Sequence, residues 1–257
     1  MNSNLVQRFI DVSGLRYHLN EWDGGGETTV LLLHGYLDLG LNWGFLIDAL
    51  PENDWHIVAP DWRGHGDSEW IGSGGYYHFP DYVRDLADLA RQVQRKRLIV
   101  VGHSMGAMVA TLWAGSGQSA DGLVLVEGLG PPPVALADYP SRMARWLSQT
   151  APFTQHEFER PMDDLEDAKR RLGRVHSKVP EAMLEQMAQF STRQRNDGRL
   201  EWKYDPLHRT SSPVTIPFDI ALEFCQKVSL PTLWIGGQDS PWGGKRLEAW
   251  LGNVPNW

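Results

Sequence analysis

Residues 98–101 read Leu-Ile-Val-Val, the next five read Gly102-His103-Ser104-Met105-Gly106, and residues 105–114 read as a helix. A short apolar run bounded by turn signals is a strand buried on both faces. A G-x-S-x-G turn between such a strand and a helix holds its serine on a sharp, strained bend with the hydroxyl exposed above the sheet. The tightness of the turn demands small flanking residues, supplied here by Gly102 and Gly106. The N-terminus of the following helix favours negative charge at the same point. Ser104 is therefore read as a nucleophile.

Working outward from this turn, residues 1–128 alternate strands with helices. Residues 5–12 and 15–22 form a hairpin about Ser13-Gly14, and 30–33, 55–59, 98–101 and 123–126 read as buried strands. Helices fall at 41–50, 82–94 and 105–114, the second carrying Val83, Leu86, Leu89, Ala90 and Val93 at a 3.6-residue period. Such alternation predicts a mostly parallel sheet covered by helices on both faces. The pattern changes at Gly128-Leu129-Gly130-Pro131-Pro132-Pro133. No buried-strand run is read from there to Pro217, only helices over 141–149, 162–175 and 181–194, with Pro161 and Pro180 at the starts of the last two. Residues 131–217 carry 13 basic and 12 acidic groups, whereas the remainder carries 11 and 20. The predicted organisation is an acidic α/β core over 1–130 and 218–257, interrupted after its sixth strand by a helical cap over 131–217. The core resumes with a helix at 218–227, a strand at 233–236 and a helix at 246–251.

The chain has 257 residues, a length at which roughly three-quarters of the extended surface can be buried without staples. Hydrophobic residues make up 42% and charged residues 22%, which excludes a disordered or fibrous chain. The net charge of −8 argues against a nucleic-acid partner, which needs a basic surface. No run reaches the ~18 apolar residues that span a bilayer. Cys225 is the single cysteine, so no internal disulfide can form, and no signal peptide is visible over residues 1–12. A cytoplasmic location is expected. Twelve tryptophans point to large aromatic surfaces in the core or a ligand pocket. No His, Cys, Asp or Glu set has metal-ligand spacing, and Gly72-Ser73-Gly74-Gly75 lacks the Lys-Ser/Thr of a phosphate loop. Neither a metal nor a cofactor is expected, and the partner is a small-molecule substrate.

A serine nucleophile at a carbonyl needs two donors aimed at the developing oxyanion. The backbone N–H of Met105 is one. The other is expected from His34-Gly35-Tyr36, directly after the strand at 30–33, through the N–H of Tyr36, with Gly35 allowing close approach. His103 sits beside the nucleophile, but successive residues at a tight turn point apart, and it is read as a packing group.

His34-Gly35-Tyr36, the 61–68 stretch Asp-Trp-Arg-Gly-His-Gly-Asp-Ser and the serine turn together resemble the α/β-hydrolase superfamily, in its branch with a helical cap. Glu127-Gly128-Leu129-Gly130-Pro131 and Trp202-Lys203-Tyr204-Asp205-Pro206 are most similar to its serine-hydrolase-like members. The resemblance implies that Arg63 and Asp67 brace turns near the site. It implies an acid at Asp239, after the strand at 233–236, with Glu127 at the end of the strand at 123–126 as the alternative. It also implies a histidine some tens of residues after the acid, and here the sequence departs from the pattern. The nine histidines are His18, His34, His56, His65, His78, His103, His156, His176 and His208, all before Asp239. Three explanations stand open: a chain truncated before its last strand, histidine loop and helix; a non-catalytic relative; or a replacement base among His156, His176 and His208. The expected activity is hydrolysis of a carboxylic ester of small to medium size through an acyl-enzyme on Ser104. A carbon–carbon bond hydrolase or lyase, or a ligand-binding relative, is the alternative. Serine rather than aspartate at 104 argues against epoxide-hydrolase and dehalogenase mechanisms. Trp146, Phe153, Phe158, Met183, Met187 and Phe190 are candidate apolar walls of the cap.

Overall fold

The computed structural model describes residues 4–128, 134–151, 159–238 and 240. Ser13 and Gly14, both at positive φ, close the hairpin of β1 (Leu5–Val12) and β2 (Leu15–Asp23). β3 (Thr28–Leu33) is buried along its whole length, as is β4 (His56–Pro60), with α1 (Gly44–Ala49) between them. Then come α2 (Phe79–Val93), β5 (Arg97–His103), α3 (Met105–Gly115) and β6 (Gly122–Val126). β9 (Thr232–Ile235) completes a seven-stranded sheet in the order β1-β2-β4-β3-β5-β6-β9. β1–β2 and β2–β4 are antiparallel, and the other four pairings are parallel.

The period of two along β3 divides the core between two layers. Leu31 and Leu33 face α2 and α3, packing with Leu86, Leu89, Val109 and Trp113. Val30 and Leu32 face the other way, with Trp22, Ile47 and Ile57. α3 is apolar all round, with eight of its eleven residues buried, because the sheet, α2 and α7 (Phe218–Lys227) enclose it. A helix of that composition is stable only when sandwiched. Among the described residues, no helix is long and apolar enough to cross a membrane.

The segment between β6 and α7 holds α4 (Tyr139–Thr150), α5 (Leu165–Val175) and α6 (Glu181–Ser191). It differs from the sequence reading in two ways. It contains strands, a hairpin of β7 (Thr192–Gln194) and β8 (Leu200–Trp202), where none was expected. Helix α6 therefore stops at Ser191 rather than 194. β-branched Thr192 pairs with Trp202, Arg193 reaches Glu201 at 2.7 Å, and Gly198 at φ +83° turns the loop. These cross-strand pairs outweigh three more helical residues. Helix α5 starts at Leu165 rather than 162, because Asp164 caps it by accepting the Asp167 N–H at 2.9 Å. Met162 exchanges two backbone hydrogen bonds of 2.8 Å with Leu200 instead. The helix expected at 246–251 lies outside the described residues.

One buried ion pair ties the loop after β4 to α2. Arg63 donates to Asp85 from Nε at 2.5 Å and from Nη2 at 2.6 Å, and the Tyr17 hydroxyl donates to the same carboxylate. Asp85 is fully buried. Removing one partner of such a pair strands the other charge. Asp85→Ala is expected to lower unfolding stability by about 3–5 kcal/mol, read from the urea midpoint. An unchanged midpoint would refute this account of the pair.

Candidate active site

Three segments converge at the C-terminal end of β5. Ser104 adopts φ +49° and ψ −111° between β5 and α3. The bend is possible only with glycine on both sides: a Cβ on Gly102 would lie 2.5 Å from the Ala107 nitrogen, and one on Gly106 2.4 Å from the Leu33 carbonyl oxygen. The Ser104 N–H donates to the Val126 carbonyl at 2.8 Å, fixing the turn to the end of β6. The expected strand–turn–helix is thus formed, with Ser104 at the start of α3.

The loop after β3 passes directly over this turn. A Cβ on Gly35 would lie 3.0 Å from His103 Nδ1 and 3.4 Å from Ser104 Cβ. Among the described residues, neither the Tyr36 nor the Met105 amide has an acceptor. The loop itself is held from below by two buried histidines. His34 Nε2 accepts the Trp62 N–H at 2.9 Å, so its Nδ1 carries the proton and donates to the Gly35 carbonyl at 2.7 Å. His65 Nε2 accepts the Leu37 N–H at 3.3 Å while its Nδ1 donates to the Arg63 carbonyl at 3.0 Å. Leu37 is at φ +58°, a conformation that this contact helps to hold. Burial pushes the pKa of both rings down, His65 most strongly, with His208 and His34 adding to the effect. Both are neutral at physiological pH. The Tyr36 hydroxyl reaches across to donate to the His208 carbonyl.

The turn-bracing residues differ in part from expectation. Arg63 braces through Asp85, but Asp67 is exposed and its carboxylate pairs with Lys203 at 2.7 Å. The bracing carboxylate is buried Asp61, which accepts from the Gly40 N–H at 2.7 Å, the Asp67 N–H at 3.0 Å and His18 at 2.8 Å. His18, Asp61 and Asp67 bring ligand atoms within 4.8 Å of one another, yet these hydrogen bonds engage all three side chains, and the trio serves the turn. Asp85 was not singled out in the sequence. Its signal was a charged residue within the apolar face of a helix, between Tyr82 and Leu86 and Leu89.

Glu127 stands at φ +57° just past β6. Its carboxylate accepts hydrogen bonds from the Gly237 N–H and the Ser240 hydroxyl, and its own N–H donates to the Ile235 carbonyl at 2.9 Å. Asp239 lies outside the described residues. So do His156, Phe153 and Phe158.

None of the described histidines bonds to the Ser104 hydroxyl. His208 does not serve as a replacement base. It is buried against Tyr77 at 3.9 Å and His65 at 4.1 Å between ring centroids, and burial lowers its pKa to about 3. His176 is exposed at the C-terminal end of α5. The Cys225 thiol is buried and pushed up to about 12, so it is no competing nucleophile at neutral pH. An open groove of about 770 Å³ lined by Trp22, Asp23, Asp48 and Trp55 lies by the start of β4. That is the opposite end of the sheet from Ser104, and none of the residues above lines it. Two of the proposed wall residues meet the core: Phe190 lies 6.3 Å from Phe45 and Trp146 lies 5.6 Å from Tyr76.

A family model for the alpha/beta hydrolase fold matches residues 28–242. The chain belongs to the α/β-hydrolase fold family. It is 32% identical over 154 residues to a serine hydrolase-like protein of Danio rerio, covering 59% of this chain and 47% of that one. It is 32% identical over 139 residues to epoxide hydrolase A of Mycobacterium tuberculosis, covering 54% and 42%. The matched stretch thus spans about half the length of these curated relatives. Among solved structures, a thioesterase domain from the curacin biosynthetic pathway superposes with a TM-score of 0.84 at 25% identity, covering 97% of this chain and 89% of that one.

The neutral histidines set a pH dependence. The unfolded chain protonates His208 below about 6.5, whereas the folded chain resists until about 3. The unfolded state then binds more protons, so stability falls as pH drops through this window. His208 is expected to contribute about 2 kcal/mol of loss between pH 6.5 and 4.5. His208→Phe should flatten that part of the stability–pH curve, measured by urea unfolding at each pH; an unaltered slope would assign the loss elsewhere.

Proposed function

We propose that the protein is a serine hydrolase acting on a carboxylic ester of small to medium size through an acyl-enzyme on Ser104. The observation that carries this reading is the left-handed Ser104 at the β5–α3 turn, beneath a loop whose Tyr36 amide has no acceptor among the described residues. Ser104 Oγ attacks the carbonyl carbon and gives its proton to a general base. The amides of Tyr36 and Met105 stabilise the oxyanion. The tetrahedral species collapses with loss of the alcohol, and water then attacks the acyl-enzyme to release the acid and free Ser104. Asp239 orients the base in this scheme, with Glu127 the alternative acid. His34, Gly35, Gly102, His103 and Gly106 shape the two turns. The helical segment over 131–217 acts as a cap whose apolar side chains cover the acyl group, supported by the Phe190–Phe45 and Trp146–Tyr76 contacts. No cofactor takes part.

The likeness to a thioesterase domain supports acyl transfer, and the likeness to a serine hydrolase-like protein supports the nucleophile. Uncatalysed serine is a weak nucleophile, and no described histidine reaches Ser104. The alternative reading is a ligand-binding relative on the same scaffold.

A fluorophosphonate probe separates the two. Covalent labelling at Ser104, lost in Ser104→Ala, is the expected result. Hydrolysis of p-nitrophenyl esters should be faster for short than for long acyl chains, and Ser104→Ala should lower kcat at least about 10⁴-fold. A folded protein whose Ser104 never labels is the ligand-binding relative. Labelling without ester turnover points to carbon–carbon bond cleavage or a lyase.

A further inference from the structure

Tyr36 offers an amide to the oxyanion and is also a point where the core is fastened to the segment between β6 and α7. We propose that the Tyr36 side chain is a positioning group: its hydroxyl anchors the 35–38 turn to the backbone of His208, so that the oxyanion amide is correctly set only while residues 203–211 are docked on the core. The inference rests on the reading of Ser104 as nucleophile and of the Tyr36 amide as oxyanion donor. It deepens that reading by giving the helical segment a part in the chemistry.

The 35–38 turn does not hold itself. The Asp38 N–H donates to the Gly35 carbonyl at 3.4 Å, a long bond, which closes a four-residue turn with Tyr36 and Leu37 at its centre. The third position of such a turn, when at positive φ, suits glycine or asparagine; here it is Leu37 at φ +58°. A leucine keeps that conformation only where contacts impose it. Two do so. His65 Nε2 accepts the Leu37 N–H at 3.3 Å, and the Tyr36 hydroxyl donates to the His208 carbonyl. The two holding groups lie against each other, with the His65 and His208 ring centroids 4.1 Å apart.

His208 belongs to a strap laid across the loop after β4. Lys203 pairs with Asp67 at 2.7 Å, Tyr204 bridges to His65, and the Asp205 N–H donates to the Gly64 carbonyl at 2.8 Å. Asp205 is buried; its carboxylate accepts the Tyr77 hydroxyl at 2.7 Å, and its carbonyl accepts the His208 N–H at 3.0 Å. Further along, the Tyr76 and Thr210 hydroxyls meet at 2.7 Å. The core is shaped to receive the strap: Gly64 stands at φ +71°, and a Cβ there would lie 2.6 Å from His208 Nε2. Core contacts therefore place the His208 carbonyl, and Tyr36 carries that placement back to the turn. Met105, the other donor, is part of α3 and needs no such anchor.

Tyr36→Phe keeps the ring and the amide and removes only the anchor. Asp205→Ala loosens the strap through Tyr77, without touching the turn; Tyr77→Phe is the milder form of the same change should Asp205→Ala fail to fold. Amide hydrogen exchange at Leu37 reports on the turn and needs no turnover. In the full-length protein it should quicken at least about 10-fold in Tyr36→Phe and likewise in the strap variant, and the double variant should be no faster than the faster single one, because both break one chain of contacts. The proposal is overturned if Leu37 exchanges in Tyr36→Phe as in wild type, if the strap variant leaves it slow, or if the two effects add.

With the p-nitrophenyl ester turned over best, Tyr36→Phe should lower kcat about 10-fold with KM within about 2-fold, since a displaced oxyanion donor costs less than a deleted one, which costs about 10²–10³-fold. A trifluoromethyl ketone, whose adduct with serine carries the oxyanion, should weaken by about the same factor. A raised KM with unchanged kcat makes the hydroxyl a substrate contact and overturns the proposal. A wild type that neither labels with the fluorophosphonate nor turns over esters ends the serine-hydrolase reading, and the exchange comparison still decides the anchor.

Discussion

The backbone of Ser104 is the constraint to which the rest of the molecule is fitted. A side-chain-bearing residue at φ +49° costs about 1–3 kcal/mol and persists only when its surroundings leave no alternative. Those surroundings are visible. Gly106 lets α3 press to within van der Waals contact of the Leu33 carbonyl, Gly102 lets the chain fold back onto Ala107, and the Val126 carbonyl takes the Ser104 N–H. Three neighbouring parallel strands, β3, β5 and β6, each contribute to one bend. The sheet order is in that sense the support of a single residue.

A second layer of support is electrically silent. The loop beside Ser104 rests on His34 and His65, each with one nitrogen protonated and one bare, and each tautomer is dictated by a backbone partner. Burial keeps both rings uncharged. A charged ring would present a proton where an N–H already points, so the low pKa values and the loop geometry are two expressions of the same packing. The charged groups that brace the loops below are held in hydrogen bonds, Arg63 with Asp85 and Asp61 with its ring of donors.

Much of this was legible in the residues. The serine turn, the loop after β3 and the alternation of apolar strands with periodic helices depend on local sequence, and each falls where the spacing placed it, to within a few residues at the ends. What escaped reading depends on partners distant in the chain. The β7–β8 hairpin is too short to show a period of two, and its strands are held by cross-strand pairs and by Met162 pairing with Leu200. Asp61 and Asp67 are equivalent as letters in a loop; only folding buries one and exposes the other to Lys203. Asp85 acquires its meaning from Arg63, 22 positions earlier. Glu127 was visible as an acid, but its two donors, just past the neighbouring strand β9, lie 110 and 113 positions later in the chain.

The placement of β5 has a consequence for how the chain assembles. β5 lies between β3, which precedes it, and β6, which follows it, and α3 buries eight of its eleven residues against elements on both sides in sequence. Neither the strand nor the helix that bracket Ser104 can be stable as a local unit, and their contacts close loops of many tens of residues. The bend between them therefore depends on elements that precede and follow it in the chain. Until the surrounding sheet is complete, Ser104 is free to keep an ordinary, relaxed backbone.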